Sequence, residues 1–295
     1  MLFYKRVSNS LLAIVAALLL SLFVFSTSSA DEPTKTSTDT TYTAALPIIL
    51  TNHYENEGLL TVNHYRDLAG VPPVEEDTSL NNNCFEHARY MAENNILTHS
   101  QDPNLPYASP AGQSCAERGN AWLGSEYHAD FWEPLDSIEG WVESVGHRLW
   151  LLYPTTNAFG FGYYESANYR AGAALDVLST ADFSADESFT GWPVRYPGPD
   201  QLDVPDTRYP ITLNWRYFGD SPQIGTVDLK MADGTPLQHE TTTSLPAGHK
   251  GIQITPTEPL PPHSVIVVTV TGTYAGTAFN YSWHFTTAGV IDPYP

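Results

Sequence analysis

Residues 158–179, AFGFGYYESANYRAGAALDVLS, decide how the first half of the chain is read. They contain two strand-like segments, Ala158–Glu165 (AFGFGYYE) and Arg170–Ser179 (RAGAALDVLS), which follow a series of helical patterns rather than alternating with them. Helices first and a hairpin afterwards argue for an α+β domain, with helices packed on a sheet. Gly160-Phe161-Gly162 reads as close strand packing, because no P-loop or dinucleotide fingerprint surrounds it.

Upstream, Leu59, Leu60, Val62, Tyr65 and Leu68 form the apolar stripe of a helix that begins near Glu55 and is stopped by Gly70, Pro72 and Pro73. A second helix spans Ser79 to Asn95, with Leu80, Cys84, Ala88, Met91 and Ala92 on one face and Thr78 or Ser79 as its cap. Asp102 to Gly124, rich in Pro, Gly, Ser and Asn, reads as a long loop. Helical signal returns over Pro134–Val145 and around Arg148–Tyr153.

Downstream, Pro193, Pro197, Pro199, Pro205 and Pro210 exclude helix and mark a boundary. Beyond it the period becomes two. Phe279, Tyr281, Trp283 and Phe285 alternate with polar or small residues, and Val265–Thr271 (VIVVTVT), Ile211–Tyr217 and Gly225–Met231 are further strands, with a turn at Ala232-Asp233-Gly234-Thr235. Short strands at this spacing predict an all-β sandwich of about a hundred residues. This part has no clustered His, Cys or carboxylates, and His239, His249 and His263 read as scattered turn residues. The expected division is a signal peptide at 1–30, a disordered lead-in at 31–50, a first domain at 51–182, a Pro-rich boundary at 183–208 and a β-sandwich at 209–289.

The signal peptide rests on Lys5 and Arg6, the apolar run Leu11–Phe25, and Ser28 and Ala30 placed three and one residues before Asp31. The run is short for a bilayer span, which takes roughly 20 residues. Its alternative is an uncleaved anchor. Cleavage predicts a secreted, extracellular protein and retention a cell-envelope one; both place the rest of the chain beyond a membrane. The formal charge is −20, and loss of residues 1–30 removes two cations and no anion, leaving −22. Such a charge repels phosphate backbones and anionic lipid, so nucleic-acid binding and docking on anionic membranes are not expected. Cys84 and Cys115 are the only cysteines. In an oxidising compartment an isolated pair pairs, closing a loop worth about 3–4 kcal/mol. Two free buried thiols are the alternative; a C-x-x-C redox or metal role is excluded by spacing.

Four ionisable residues of the first domain stand out as a candidate site: His99, Glu117, Glu143 and His147. Glu143 and His147 bracket Ser144-Val145-Gly146, four residues apart, and share one helix face if Gly146 does not break the helix. Two imidazoles and two carboxylates suit a divalent cation such as zinc, or an acid–base pair around a water. No H-E-x-x-H or G-x-S-x-G occurs, so no activated nucleophile is indicated. His87, inside the second helix, reads as packed or hydrogen-bonded, and Trp122, Trp132, Trp141 and Trp150 as core.

The same residues carry a resemblance. Leu60-x-x-Asn63-x-Tyr65-Arg66-x-x-Ala69-Gly70-x-Pro72-Pro73, His87-Ala88-Arg89-Tyr90-Met91, His99-Ser100 and Trp141-Val142-Glu143-Ser144-Val145-Gly146-His147-Arg148 occur in the order and approximate spacing of the CAP family's blocks. The chain from Glu55 to Ser179 thus resembles a bacterial CAP domain, of the superfamily of cysteine-rich secretory proteins, venom allergen antigens and plant pathogenesis-related proteins. The resemblance implies an α-β-α sandwich with a large open cleft lined by two His and two Glu. His99 and His147 match the family's histidines. At the first glutamate the family has Gly-Glu-Asn, whereas here Glu117 and Asn120 are separated by Arg118 and Gly119; at the second, Glu143 stands two residues after Trp141 where three are common. The β part resembles bacterial Ig-like modules, through Leu260-Pro261-Pro262 and Trp283-His284-Phe285-Thr286-Thr287.

Three functions follow as expectations. The preferred one is a secreted binding protein whose cleft holds a divalent cation or a small apolar, sterol-like ligand, with His99 and His147 coordinating and Glu117 and Glu143 assisting. The second is an extracellular hydrolase with Glu117 or Glu143 activating water. The third is a non-catalytic surface interaction protein in which both domains present loops and the cleft is vestigial. Across the three, the partner is an extracellular ligand: a metal, a small lipid or a protein.

Overall fold

The computed structural model describes residues 51–124, 134–167 and 170–289; the expected signal segment, the lead-in and Trp132 lie outside them. The described residues belong to one compact unit. It opens with helix α1 (Thr51–Leu68), which ends where Gly70 takes φ +68°. A side chain there would cost stability, so glycine is the stop signal. Helix α2 (Thr78–Asn94) is capped one residue earlier than expected. The carboxylate of Asp77 accepts from the backbone N–H of Ser79 (2.9 Å) and Leu80 (3.1 Å), which leaves the Thr78 and Ser79 hydroxyls no capping role.

The stretch expected to be a loop, 102–124, holds two elements instead. Helix α3 (Pro110–Ala116) starts at Ser109, whose hydroxyl accepts from Gly112 N–H at 3.0 Å, with Pro110 in the first turn. Strand β2 (Gly119–Leu123) follows it. Seven and five residues are too few to display a period, and the Pro, Gly and Ser that signalled a loop are the helix's own start signals.

Strand β2 joins β1 (Glu75–Glu76), β3 (Ala158–Glu165) and β4 (Ala171–Asp176) in a sheet of order β1-β3-β4-β2. The β1–β3 pair is parallel and the others antiparallel. Strand β3 shows how the two faces are used. Gly160 and Gly162 lie against α2 so closely that a Cβ on Gly162 would stand 2.0 Å from the Phe85 nitrogen, and one on Gly160 2.3 Å from Leu80. Close strand packing is therefore the role of these glycines. Phe161, between them, points the other way, against Gly58 of α1 and edge-on to Trp141 of helix α4 (Pro134–Glu143), with ring centres 6.4 Å apart. With α2 and α3 on one face and α1 and α4 on the other, the layers are those of an α-β-α sandwich.

Helix α4 and helix α5 (Val145–Leu151) are separate. The break falls at Ser144, which is extended (φ −82°, ψ 116°), and not at Gly146, which is helical. Glu143 is thus the last residue of one helix and His147 belongs to the next, so the expected shared helix face does not form.

The C-terminal part is the expected all-β, Ig-like sandwich. One sheet has the order β5-β6-β9-β8, from β5 (Val194–Tyr196), β6 (Ile211–Trp215), β8 (His239–Thr242) and β9 (Lys250–Pro256). The other is β11-β10-β7, from β7 (Gln223–Met231), β10 (Val265–Tyr274) and β11 (Thr277–Thr286). Ile266, Val268, Val270, Trp283 and Phe285 fill the space between them with Leu213, Ile252 and Ile254. The Pro-rich stretch is built into the fold. It supplies β5, and Pro197 O accepts from Trp283 Nε1–H at 3.0 Å. Arg148 joins the parts: its buried guanidinium donates to Val142 O (3.0 Å) and Pro210 O (2.7 Å) and lies over the rings of Tyr196 and Tyr209. These four contacts are carbonyls or aromatic faces, which accept a guanidinium without a carboxylate.

Candidate functional site

His99 stands in the loop after α2, and neighbouring hydrogen bonds fix that loop. Asn95 reverses the chain at φ 53°, and the buried His87 ring of α2 then reaches Thr98 O with Nε2 at 3.0 Å. A carbonyl only accepts, so Nε2 carries the proton and Nδ1 receives one from Gln101 Nε2 at 3.2 Å. Burial holds His87 neutral, its pKa drawn down to about 4. Both nitrogens are used, so His87 is a packed, hydrogen-bonded residue and not a ligand. Gln101 also accepts from Ser109 N–H (2.8 Å) and, through its own N–H, reaches Gln113 Oε1 (2.6 Å). Residues on either side of His99 are thus tied to α2 and α3, while its own side chain is exposed. The buried disulfide between Cys84 of α2 and Cys115 of α3 locks those helices together.

His147 is placed by α5. Asn120 of β2 donates to its carbonyl (3.3 Å), and the carbonyls of Leu151 and Tyr153, at the far end of the helix, accept from Arg66 Nη1 (2.8 and 3.0 Å). Arg66 is fully buried on α1, and burial lowers its pKa to about 9. Its charge sits at a helix C-terminus, the end that favours a cation. The Ser144 hydroxyl leaves the helix start uncapped and lies 3.0 Å from His147 Nδ1. Accepting there from Nδ1–H leaves the Nε2 lone pair available.

The fold brings the two imidazoles of the candidate set together. The rings of His99 and His147 stack with centres 6.3 Å apart and planes 25° from parallel. The His147 pKa is lowered, by burial first and then by the charge of His99. No carboxylate enters that balance. Glu117, at the C-terminal end of α3, is exposed and accepts from Gln113 Nε2 at 2.7 Å. Glu143 is exposed, and its charge acts on the phenols of Tyr65 and Tyr209. Among the described residues no group of three or more His, Cys, Asp or Glu is gathered closely enough to hold a metal ion.

Two imidazoles bound tetrahedrally to zinc at about 2.0–2.1 Å have ring centres roughly 5 Å apart. The observed 6.3 Å is about one ångström wider, within reach of the exposed His99 side chain. Such a pair supplies half of a tetrahedron, so an ion there would be an open one, completed by water or ligand. Closed structural sites take four protein ligands.

No supporting role was read in the sequence for four residues: Gln101, Gln113, Ser144 and Asn120, the last named only against the family's Gly-Glu-Asn. Only Ser144 left a trace, three residues before His147 at a helix start. Around the pair, the exposed side chains of Ile96 and Leu97 give the loop an apolar edge beside His99.

A model of the cysteine-rich secretory protein family, CAP, matches residues 59–192. The human (Homo sapiens) Golgi-associated plant pathogenesis-related protein 1 is 28% identical over 118 residues, which cover 37% of this chain and 71% of that protein. A solved outer surface protein from Borrelia burgdorferi aligns with 40% of this chain and 85% of its own, at 17% identity and a TM-score of 0.30.

Proposed function

Starting from residues 59–192 as a CAP domain of the cysteine-rich secretory protein family, we propose that the chain is a secreted binding protein whose cleft takes a divalent cation of the zinc type between His99 and His147. One observation carries this reading: the stacked imidazoles at 6.3 Å, one exposed and one oriented by Ser144. Imidazole nitrogen suits zinc and its neighbours better than it suits calcium or magnesium, which prefer oxygen. Binding is favoured over hydrolysis because Glu143 sits on a different helix from His147 and Glu117 is engaged with Gln113.

Calorimetric titration of the purified chain with zinc tests this. Weak, single-site heat is expected for the wild type and its loss in His99→Ala and in His147→Ala. Glu117→Gln and Glu143→Gln are expected to keep the wild-type heat. Equal heats in wild type and both histidine variants would end the cation reading. The exposed Ile96 and Leu97 favour a second occupant, a small apolar ligand lying along the loop. A fluorescent sterol analogue whose binding drops in Leu97→Asp but not in His147→Ala would assign the cleft to it. Export itself rests on the basic, apolar and small-residue segments of 1–30 and on the disulfide, which persists in oxidising compartments. N-terminal sequencing of protein recovered from the medium is expected to begin at Asp31.

A further inference from the structure

His249 was expected to be a turn residue; it does close a turn, and the fold buries it. It is 3% exposed, and neither ring nitrogen has a hydrogen-bond partner. Its surroundings are aromatic: the Trp150 ring centre lies 4.2 Å away, Tyr217 at 5.2 Å and Tyr153 at 6.5 Å. His249 closes the turn Leu245–His249, with its N–H donating to Pro246 O at 3.2 Å. Ala247 and Gly248 both adopt positive φ, and the Tyr217 hydroxyl holds Ala247 O at 2.9 Å.

That turn grips one side of α5. Leu245 forms a small apolar cluster with Val145 and Leu149. Pro246 Cβ stands 3.2 Å from where a Cβ on Gly146 would be, and His249 covers Trp150. Residues 145, 146, 149 and 150 lie on one face of a helix. His147 projects from the same short helix. We propose that the Leu245–His249 turn is a clasp on α5 that acid releases, with His249 as the proton sensor, and that release loosens the helix carrying His147.

The charge balance around His249 supports this. From the α5 side it meets Trp150 and Tyr153, and from beyond β6 it meets Tyr217. The nearby ionisable groups on these segments are otherwise engaged: Asp186 with the Tyr153 hydroxyl and Thr155, Arg216 with Glu187, and Arg148 with carbonyls and rings. His147 bonds Ser144, and Lys250 follows His249 in sequence without an acid partner in contact with the imidazole. Burial alone lowers the His249 pKa, to about 4. A protonated ring would regain some energy against the Trp150 face. It would also hold two N–H donors with no acceptor, which costs more. The sign follows. The open form takes up a proton near pH 6.5 and the closed form only near 4, so closure is favoured above that window and weakens as the pH falls through it.

Hydrogen exchange of the full chain without added metal tests the clasp independently of the cation reading. Amides of 145–152 and 245–250 are followed between pH 7.5 and 5, with rates corrected for intrinsic exchange. The opening equilibrium of the wild type is expected to rise roughly 30-fold over that range. His249→Phe, which fills the cage and does not titrate, is expected to stay flat, with His87 and His147 unchanged in both proteins. A flat wild type, or the same rise in His249→Phe, overturns the proposal. Should His249→Phe lack the native circular dichroism, the imidazole NMR titration of the wild type decides. A His249 ring that titrates below pH 5 supports the clasp, and one that titrates at the ordinary value near 6.5 overturns it.

Discussion

Two of the three described sheets handle burial in opposite ways. The β3–β4 hairpin of the N-terminal α-β-α sandwich is covered by helices on both faces, and its strands show almost continuous burial rather than alternation. In β10 and β11 of the sandwich, inward Ile266, Val268, Val270, Trp283 and Phe285 alternate with residues that reach solvent. Two-sided burial leaves no wet face to accommodate an added atom, whereas a one-sided strand has one. The consequence is that strand glycines of equal rank in sequence differ in what they tolerate. Gly162 meets the backbone of α2, while the atoms nearest a Cβ on the exposed Gly225 of β7 would be those of Thr271, at 3.2–3.6 Å.

The contrast can be broken or sharpened by substitution. The largest loss is expected for Phe161→Ala, about 3–5 kcal/mol by denaturant unfolding, because the ring fills the space between α1 and α4. Gly162→Ala follows, at about 3 kcal/mol, since its new methyl overlaps the Phe85 backbone; Gly225→Ala is expected to cost less than about 1 kcal/mol. Equal losses at the two glycines would break the comparison. Removing the bridge, as Cys84→Ala with Cys115→Ala, is expected to cost about 3 kcal/mol and to loosen α3 first in hydrogen exchange. Asp77→Ala is expected to cost about 1 kcal/mol, and the smallest effect belongs to Thr78→Ala, near neutral because Asp77 provides the cap. A larger loss at Thr78 than at Asp77 would reverse that assignment.

Long elements were legible and short ones were not. The stripe from Leu59 to Leu68 and the alternation from Phe279 to Phe285 extend over enough residues to display their periods. Helix α3 and strand β2 do not, and they fall within a composition that also describes loops. Helix starts were misread by one residue at Asp77, where three capping residue types stand in a row. The break at Ser144 was missed because Gly146 is the poorer helix former of the two, while geometry placed the extended residue earlier.

Residue identities by themselves determined the class of each half, the layers of the N-terminal sandwich, the disulfide partners and the histidines that come together. These depend on local periodicity, on there being only two cysteines, and on blocks whose order is written along the chain. Only the tertiary structure decided that Glu143 and His147 belong to separate helices and which histidine is hidden. Glu143 and His147 are four residues apart, yet a single extended residue sends them to different helices. His249 looks like a turn residue in its own sequence neighbourhood, yet it is buried by Trp150, about a hundred residues away in the chain. Long-range burial of this kind has no local signature, because the groups that exclude water from a side chain are not its neighbours along the chain.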